Sequence, residues 1–293
     1  MTDTTSLLNK ARKDRLMELA NFLRNRRERI KPELFGIPIS ARRRTPGLRR
    51  EELAQLAGVS VSWYTWLEQG RSITVSDQVL ESIAHILQLD FTERRHLFQL
   101  ARDQFSTPKL IKKNISQSII SELQPVLDSF GFCPAYIFDQ CWNLVAGNQI
   151  AYRIFVDTSV VNYADLPWRE RNLMWALFTN PYQKKLLLDW ENEAKRCIAL
   201  FRFSSNQYIG EPWFTEFIDD LTYISPHFQE WWPQYDIQSP HGKRKILNHP
   251  IVGRLVLQAT TLLIPESPEL QLIVYTPLPE EDTAGKLARL ATL

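Results

Sequence analysis

The stretch from Arg50 to Gly70, REELAQLAGVSVSWYTWLEQG, constrains this chain more than any other. Its spacing predicts a short helix, a glycine turn and a second short helix. Leu53, Leu56 and Ala57 recur at helical spacing and form one apolar face. Gly58 permits the left-handed conformation that ends the first helix. Val59 plugs the space between the helices, and Ser60 is a good cap for the second. Tyr64 and Leu67, three apart, face back onto the first helix. Val61, Ser62, Thr65 and Gln69 are left pointing outward. Two helices at a steep angle, the second presenting small polar groups, match the geometry that fits a DNA major groove.

The surrounding charge supports that reading. Residues 1–71 hold 15 Lys/Arg against 8 Asp/Glu. Arg24, Arg26, Arg27 and Arg29 cluster on the preceding helix, while Arg42, Arg43, Arg44, Arg49 and Arg50 lead into the motif. A basic helix end followed by a basic loop is a phosphate-binding footprint. The whole chain carries a formal charge of only +2, but residues 1–102 hold 18 basic and 12 acidic side chains and residues 103–293 hold 17 and 21. Only the first part favours a polyanion.

At 293 residues the chain has room for two domains of ordinary size. Its hydrophobic fraction of 44% and charged fraction of 23% are those of a globular protein. Cys133, Cys141 and Cys197 cannot all pair within one chain, which points to a reducing compartment; they read as small buried hydrophobes. The polar N-terminus carries no signal-peptide pattern. The longest apolar stretch, Ile251 to Ile264, is interrupted by Arg254 and Gln258, so no membrane span is expected. A cytoplasmic location follows from these readings.

Helical periodicity predicts five helices in a first domain, residues 1–104. The first runs from Leu16 to Arg29, with Leu16, Leu19, Ala20 and Leu23 inward. A long loop from Ile30 to Pro46 follows. The fourth helix spans Asp77 to Leu87 behind a Ser76 cap, and the fifth spans Glu93 to Ala101 behind Thr92. Residues 105–115, with a proline and three lysines between Ser106 and Asn114, read as a linker. A second domain, residues 116–293, opens with a helix from Ser116 to Asp128. Strands Ala135–Asp139 and Trp142–Ala146 form a hairpin around Gln140 and Cys141. A helical block runs from about Gln149 to Tyr235. Strands return near Lys243–His249, Gly253–Leu263 and Leu270–Tyr275. The fold class is therefore multidomain: an all-α helix-turn-helix domain followed by an α+β domain with an antiparallel sheet and a large helical insertion. That pattern is compatible with a PAS-like domain.

Residues 13–102 resemble the helix-turn-helix domain of XRE (Cro/repressor-like) regulators. The string RRRTPGLRREELAQLAGVSVSWYTWLEQGR resembles the branch that carries an MmyB-like ligand-binding domain. The likeness continues through AYIFDQCWNLVAGNQIA, RNLMWALFTNP and NHPIVGRL, and so covers nearly the whole chain. It implies a PAS-like sheet whose helical insertion encloses a pocket, and a fatty acid as the ligand. It also implies a phosphate contact for Arg50 and a DNA contact for the arginine-rich loop.

Val61, Ser62 and Thr65 are the base-edge candidates, with Gln69 on the same outward face. Val61 suits a thymine methyl, and the two hydroxyls suit several bases. None offers a bidentate pattern, so part of the specificity is expected from the basic loop or from DNA shape. Trp63 and Trp66 are expected to pack under the long loop. In the second domain Trp142, Phe155, Trp168 and Phe178 stand among many aromatics that can together line an apolar cavity. A buried fatty-acid carboxylate needs a cation or several donors, for which Arg171, Arg202 and His249 are the candidates. The five histidines show no metal-ligand spacing, and there is no CxxC pair, nucleophile elbow, phosphate loop or dinucleotide fingerprint. No metal and no catalytic group is expected.

The sequence thus reads as a bacterial transcription regulator that binds duplex operator DNA as a homodimer and senses a small apolar ligand. Three alternatives stay open. The second domain makes only protein contacts, it is a haem or flavin sensor, or it is a catalytic domain fused to a DNA-binding module.

Overall fold

The computed structural model describes residues 2–38, 43, 45, 47–102, 117–156, 166–234 and 244–292. The expected linker at Ser106–Asn114 and the arginines Arg42 and Arg44 lie outside them. The chain divides into two compact units. The first comprises Met1–Phe105, Ser205–Thr222 and Gln229–Ser239; the second comprises Ser106–Ser204, Tyr223–Phe228 and Pro240–Leu293.

In the first unit, α1 (Thr2–Arg29) leads through a 3-10 turn (Pro32–Phe35) to α2 (Arg50–Leu56), α3 (Val61–Glu68), α4 (Asp77–Ile86) and α5 (Phe91–Ala101). Phe22 and Leu23 of α1, Leu53 and Ala54 of α2, Tyr64 and Leu67 of α3, Leu80 and Ile83 of α4, and Leu97 and Leu100 of α5 share one core. The apolar face of α2 is rotated from the expected one. Leu53 and Ala54 are buried, while Leu56 is 38% exposed. Gly58, at φ +68°, turns the chain between α2 and α3.

Two boundaries differ from the sequence reading. Helix α1 begins at Thr2 rather than Leu16. Residues 2–15 lack an apolar period, but α1 has a tertiary neighbour: a Cβ built on Gly210 would fall 2.2 Å from the Cα of Ala11. Helix α5 begins earlier than a Thr92 cap allows, because Asp90 is its cap. The Asp90 carboxylate accepts from Glu93 N at 2.8 Å, and Glu93 accepts in return from Asp90 N at 2.9 Å.

Residues from the second half of the chain complete the first unit, which two consecutive domains would not predict. His96 is fully buried, stands edge-on to Phe22 with ring centroids 5.0 Å apart, and is 2.6 Å from the amide nitrogen of Asn206. Ile209 packs against the same core.

The second unit opens with α6 (Gln117–Ser129), β1 (Ala135–Asp139) and β2 (Leu144–Gly147). Helices α7 (Gln149–Phe155), α8 (Leu173–Thr179), α9 (Pro181–Leu186) and α10 (Trp190–Ser204) follow. Next in the chain come α11 (Pro212–Ile224) and α12 (Pro226–Trp231), whose residues are divided between the two units. Strands β3 (Arg244–His249), β4 (Gly253–Leu263) and β5 (Leu270–Pro277) and helix α13 (Thr283–Thr292) complete the second unit. The strands form one antiparallel sheet in the order β2-β1-β5-β4-β3, with Tyr136 opposite Ile273, Thr260 opposite Val274 and Ile246 opposite Val256. The helical block lies between β2 and β3 in sequence, so the α+β layout expected from the sequence is present.

The β1–β2 turn is longer than the expected two residues. Asp139 Oδ1 accepts from the backbone N–H of both Cys141 and Asn143, each at 2.9 Å. This holds Trp142 at φ +66°, a left-handed backbone that bulky residues rarely adopt, and delays β2 to Leu144. Asn148 anchors the other end of β2. It caps α7 by accepting from Ala151 N at 3.0 Å, accepts from Ala135 N at 3.1 Å, and donates to Cys133 O at 2.9 Å and Leu127 O at 3.2 Å. One buried amide thus ties α6, β1 and α7 together. Helix α13, which the sequence reading left unassigned, buries Leu287 and Leu290, and its Thr283 hydroxyl accepts from Val256 N at 3.0 Å.

Candidate nucleic-acid face and ligand cavity

Helix α3 starts at Ser60, whose hydroxyl accepts from Trp63 N at 3.2 Å. Tyr64, Leu67 and Glu68 bury its inner face. The outer face presents Val61, Ser62 and Gln69 to solvent and Thr65 half-buried. The Thr65 hydroxyl donates to Val61 O at 2.7 Å, so toward a base it acts as an acceptor. Trp63 packs on the core from its edge. Part of the loop under which Trp66 is expected to pack lies outside the described residues. Trp66 is 42% exposed, with the Arg71 guanidinium 5.7 Å above its ring.

The arginines around the motif fall into two groups, those locked inside the domain and those left exposed. Glu68 is fully buried at the end of α3. Its carboxylate takes Arg27 Nε at 2.5 Å, Arg27 Nη2 at 3.1 Å and Arg50 Nε at 2.7 Å. Arg27 also donates to Leu48 O at 2.7 Å, and Arg24 donates to Glu68 O at 3.2 Å. Burial alone would raise the Glu68 pKa; the bonds from Arg27 and then Arg50 outweigh it and hold the carboxyl below its ordinary range. Arg43, expected on phosphate, is held inside the domain with its side chain only 6% exposed. It grips both Glu52 oxygens and the carbonyls of Thr45 and Gly47, which leaves its fork no room for a phosphate. Glu52 also accepts from Arg49 N at 2.6 Å and so caps α2. Arg49 and Arg50 keep 45% and 42% of their side chains exposed.

The second unit contains a cavity of about 400 Å³, within the size range of small-molecule sites. Tyr136 and Phe138 of β1, Trp142 of the turn, Leu144 and Gly147 of β2 and Tyr152 and Phe155 of α7 line the sheet side. Trp175, Leu177, Pro181 and Leu187 add apolar surface from the helical block. Asn172 joins the two parts. It caps α8 at Met174 N and Trp175 N (2.9 and 3.2 Å) and donates to Cys141 O at 2.7 Å in the β1–β2 turn. Glu170 and Arg171 also line the wall.

Among the sequence candidates, Trp142, Phe155 and Arg171 line the cavity; Trp168, Phe178, Arg202 and His249 do not. Trp168 is 43% exposed, with Arg169 5.5 Å over its ring. Phe178 packs edge-on to Trp190 and Phe228. Arg202 is buried within α10. His249 is structural. Its ring lies 3.1 Å from Arg153 O and accepts from Ile251 N at 3.3 Å, which shapes the β3–β4 turn.

Polar groups that the sequence reading missed stand at one end of the cavity. Glu193 and Cys197, one turn apart on α10, and Lys245 of β3 line it. Lys245 Nζ is 3.1 Å from Glu193 Oε1, and Arg196 donates to both Glu193 oxygens at 2.9 and 2.5 Å. Burial alone would raise the Glu193 carboxyl; Lys245 and Arg196 outweigh it and bring the pKa down to about 2. Burial pushes the Cys197 thiol up to about 12. Spacing held the signal. Trp190, Glu193, Ala194, Cys197 and Phe201 share one helix face, and Lys245, Leu247 and His249 share one strand face.

No helix among the described residues is long and apolar enough to cross a membrane. No group of three or more His, Cys, Asp or Glu residues among them is placed to hold a metal ion.

A helix-turn-helix with an exposed polar second helix, together with an α+β unit built around a cavity, defines a ligand-responsive transcription regulator. Comparison with known families agrees. A helix-turn-helix domain model matches residues 18–97, and the model of the MmyB-like transcription regulator ligand binding domain matches residues 119–290. The chain belongs to the MmyB-like transcription regulators. No curated protein matches it in direct sequence comparison.

Replacing Glu68 with Gln leaves Arg27 without its buried counter-charge. Unfolding by urea should show a loss of about 3 kcal/mol; a loss under about 0.5 kcal/mol would contradict the role given to this carboxylate. For Glu193, whose pKa falls from 4.5 to about 2 on folding, the ionised form stabilises the fold above pH 4.5, and that stability fades as pH falls toward 2. The gap in unfolding midpoint between wild type and Glu193→Gln should therefore narrow from pH 5 to pH 2; a constant gap would contradict the assignment.

Proposed function

We propose that the exposed face of α3 reads base edges in a major groove, with Val61 on a thymine methyl and Ser62, Thr65 and Gln69 as polar contacts. Arg49 and Arg50, the exposed arginines at the start of α2, take phosphates. Arg42 and Arg44 keep the phosphate role proposed from the sequence. The protein acts as a homodimer on a two-fold operator. Its cavity holds a small apolar ligand of the fatty-acid type. The observation that carries this reading is the cavity itself: aromatic walls from sheet and helices, with charged groups at one end.

The route from ligand to DNA follows the chain. Helix α10 carries Glu193 and Cys197 at the cavity and ends at Ser204. The next residue opens Ser205–Thr222, which belongs to the same compact unit as the helix-turn-helix. A ligand that shifts α10 therefore pulls on a segment bonded to His96 and packed on the DNA-binding core. The coupling equals the ligand's differential affinity for the two arrangements.

Ser62→Ala and Thr65→Ala should change the sequence preference recovered from a random duplex library while non-specific affinity stays within about twofold. Uniform weakening at all sequences would remove α3 from base readout. Native mass spectrometry of the purified chain should show a retained or added apolar molecule; a chain that never takes one up would favour pure protein contacts.

A further inference from the structure

The end of the cavity defines what the ligand's polar group must be. Lys245 carries three N–H donors. One meets Glu193 at 3.1 Å, and a weaker one meets the Tyr275 hydroxyl at 3.4 Å. Among the described residues the third has no acceptor. Aromatic rings flank the ammonium, Phe155 with its centroid at 5.8 Å and Tyr275 at 5.5 Å. Lys245 is one of the cavity-lining residues and keeps 16% of its side chain exposed.

The charges do not cancel. Among the described residues, Lys245 and Arg196 are positive and Glu193 is the one carboxylate between them. Tyr136 and Tyr275 share a hydrogen bond of 2.8 Å between their hydroxyls. Burial raises both phenols above their ordinary range and pushes the Cys197 thiol up to about 12, so none of the three supplies a balancing anion near neutral pH. Glu170 and Arg171, also on the wall, contribute one charge of each sign. An uncompensated buried positive charge is costly, and one bound anion removes the cost.

We propose that Lys245 is the specificity-determining residue of the cavity: its third donor receives the carboxylate of an apolar monoanion, with Glu193 and Tyr275 fixing the ammonium in place. This deepens the ligand-sensing reading above and rests on it. A neutral tail of the same length would bind without this contact. A cationic head would meet the Lys245 ammonium and be rejected.

The test uses the full chain and three probes of equal tail length below their micellar concentrations: dodecanoate, dodecanol and dodecyltrimethylammonium. Quenching of tryptophan emission, with Trp142 and Trp175 in the wall, reports binding. Wild type should bind dodecanoate at least about tenfold tighter than dodecanol, the size of one charge-assisted hydrogen bond, and should bind the cation most weakly. Lys245→Met should abolish the preference for dodecanoate and leave dodecanol within about twofold. Should that variant fail to fold, Glu193→Gln decides: with the competing carboxylate gone, dodecanoate should tighten several-fold and dodecanol should not. Equal binding of acid and alcohol by wild type, or an unchanged preference in either variant, overturns the Lys245 proposal and leaves the apolar cavity standing. Binding of none of the probes overturns the ligand-sensing reading as well.

Discussion

The helix-turn-helix stands on one buried carboxylate. Glu68 ends α3 without exposure and draws Arg27 from α1 and Arg50 from α2 onto its oxygens. Arg27 extends the link to the backbone at Leu48. Desolvating these charges is costly, and only dense bonding offsets it. In return the angle between α2 and α3 is set by directional bonds as well as by apolar packing. The exposed face of α3 inherits that rigidity. A slack recognition helix would lose orientation against base edges before it lost stability.

The cavity end repeats the same count, one carboxylate with two cations, in a different setting. Beside Glu68 the second cation, Arg50, keeps 42% of its side chain exposed, so water serves its remaining donors. Beside Glu193 the second cation, Lys245, is only 16% exposed and lines the cavity, so its free donor faces the space a ligand would fill. The supports around the cavity are neutral amides. Asn148 and Asn172 each bridge several backbone segments, and the left-handed turn at Trp142 holds an indole in the wall. Such strain persists only where neighbouring bonds over-determine it, as those of Asp139 do here.

Much of this architecture is legible in the sequence because it is local. The glycine turn at Gly58 and the Ser60 and Ser76 caps depend on near neighbours. Charge with a tertiary purpose is harder to see. Glu68 sits in the string WLEQG as an ordinary polar helix end, and only its place close to Tyr64 and Leu67 in the helix hints at burial. Arg43 looks like its basic neighbours until Glu52 is found beside it. Lys245 hides in the charged run HGKRK, although its period-two partners Leu247 and His249 are both buried. Long-range packing explains the remaining differences. Polar residues 2–15 give no helical period, and nothing local links His96 to Asn206. These are contacts between distant segments, which no local pattern encodes.

The central claim is that cavity occupancy and DNA affinity are one linked equilibrium. The direct measurement selects a preferred duplex from a random library, then titrates it with the full chain, with and without saturating dodecanoate, at fixed ionic strength. The account predicts a change in dissociation constant of at least about fivefold, and by reciprocity the same factor in dodecanoate affinity when the duplex is bound. A duplex affinity unmoved by a ligand shown to be bound would contradict it.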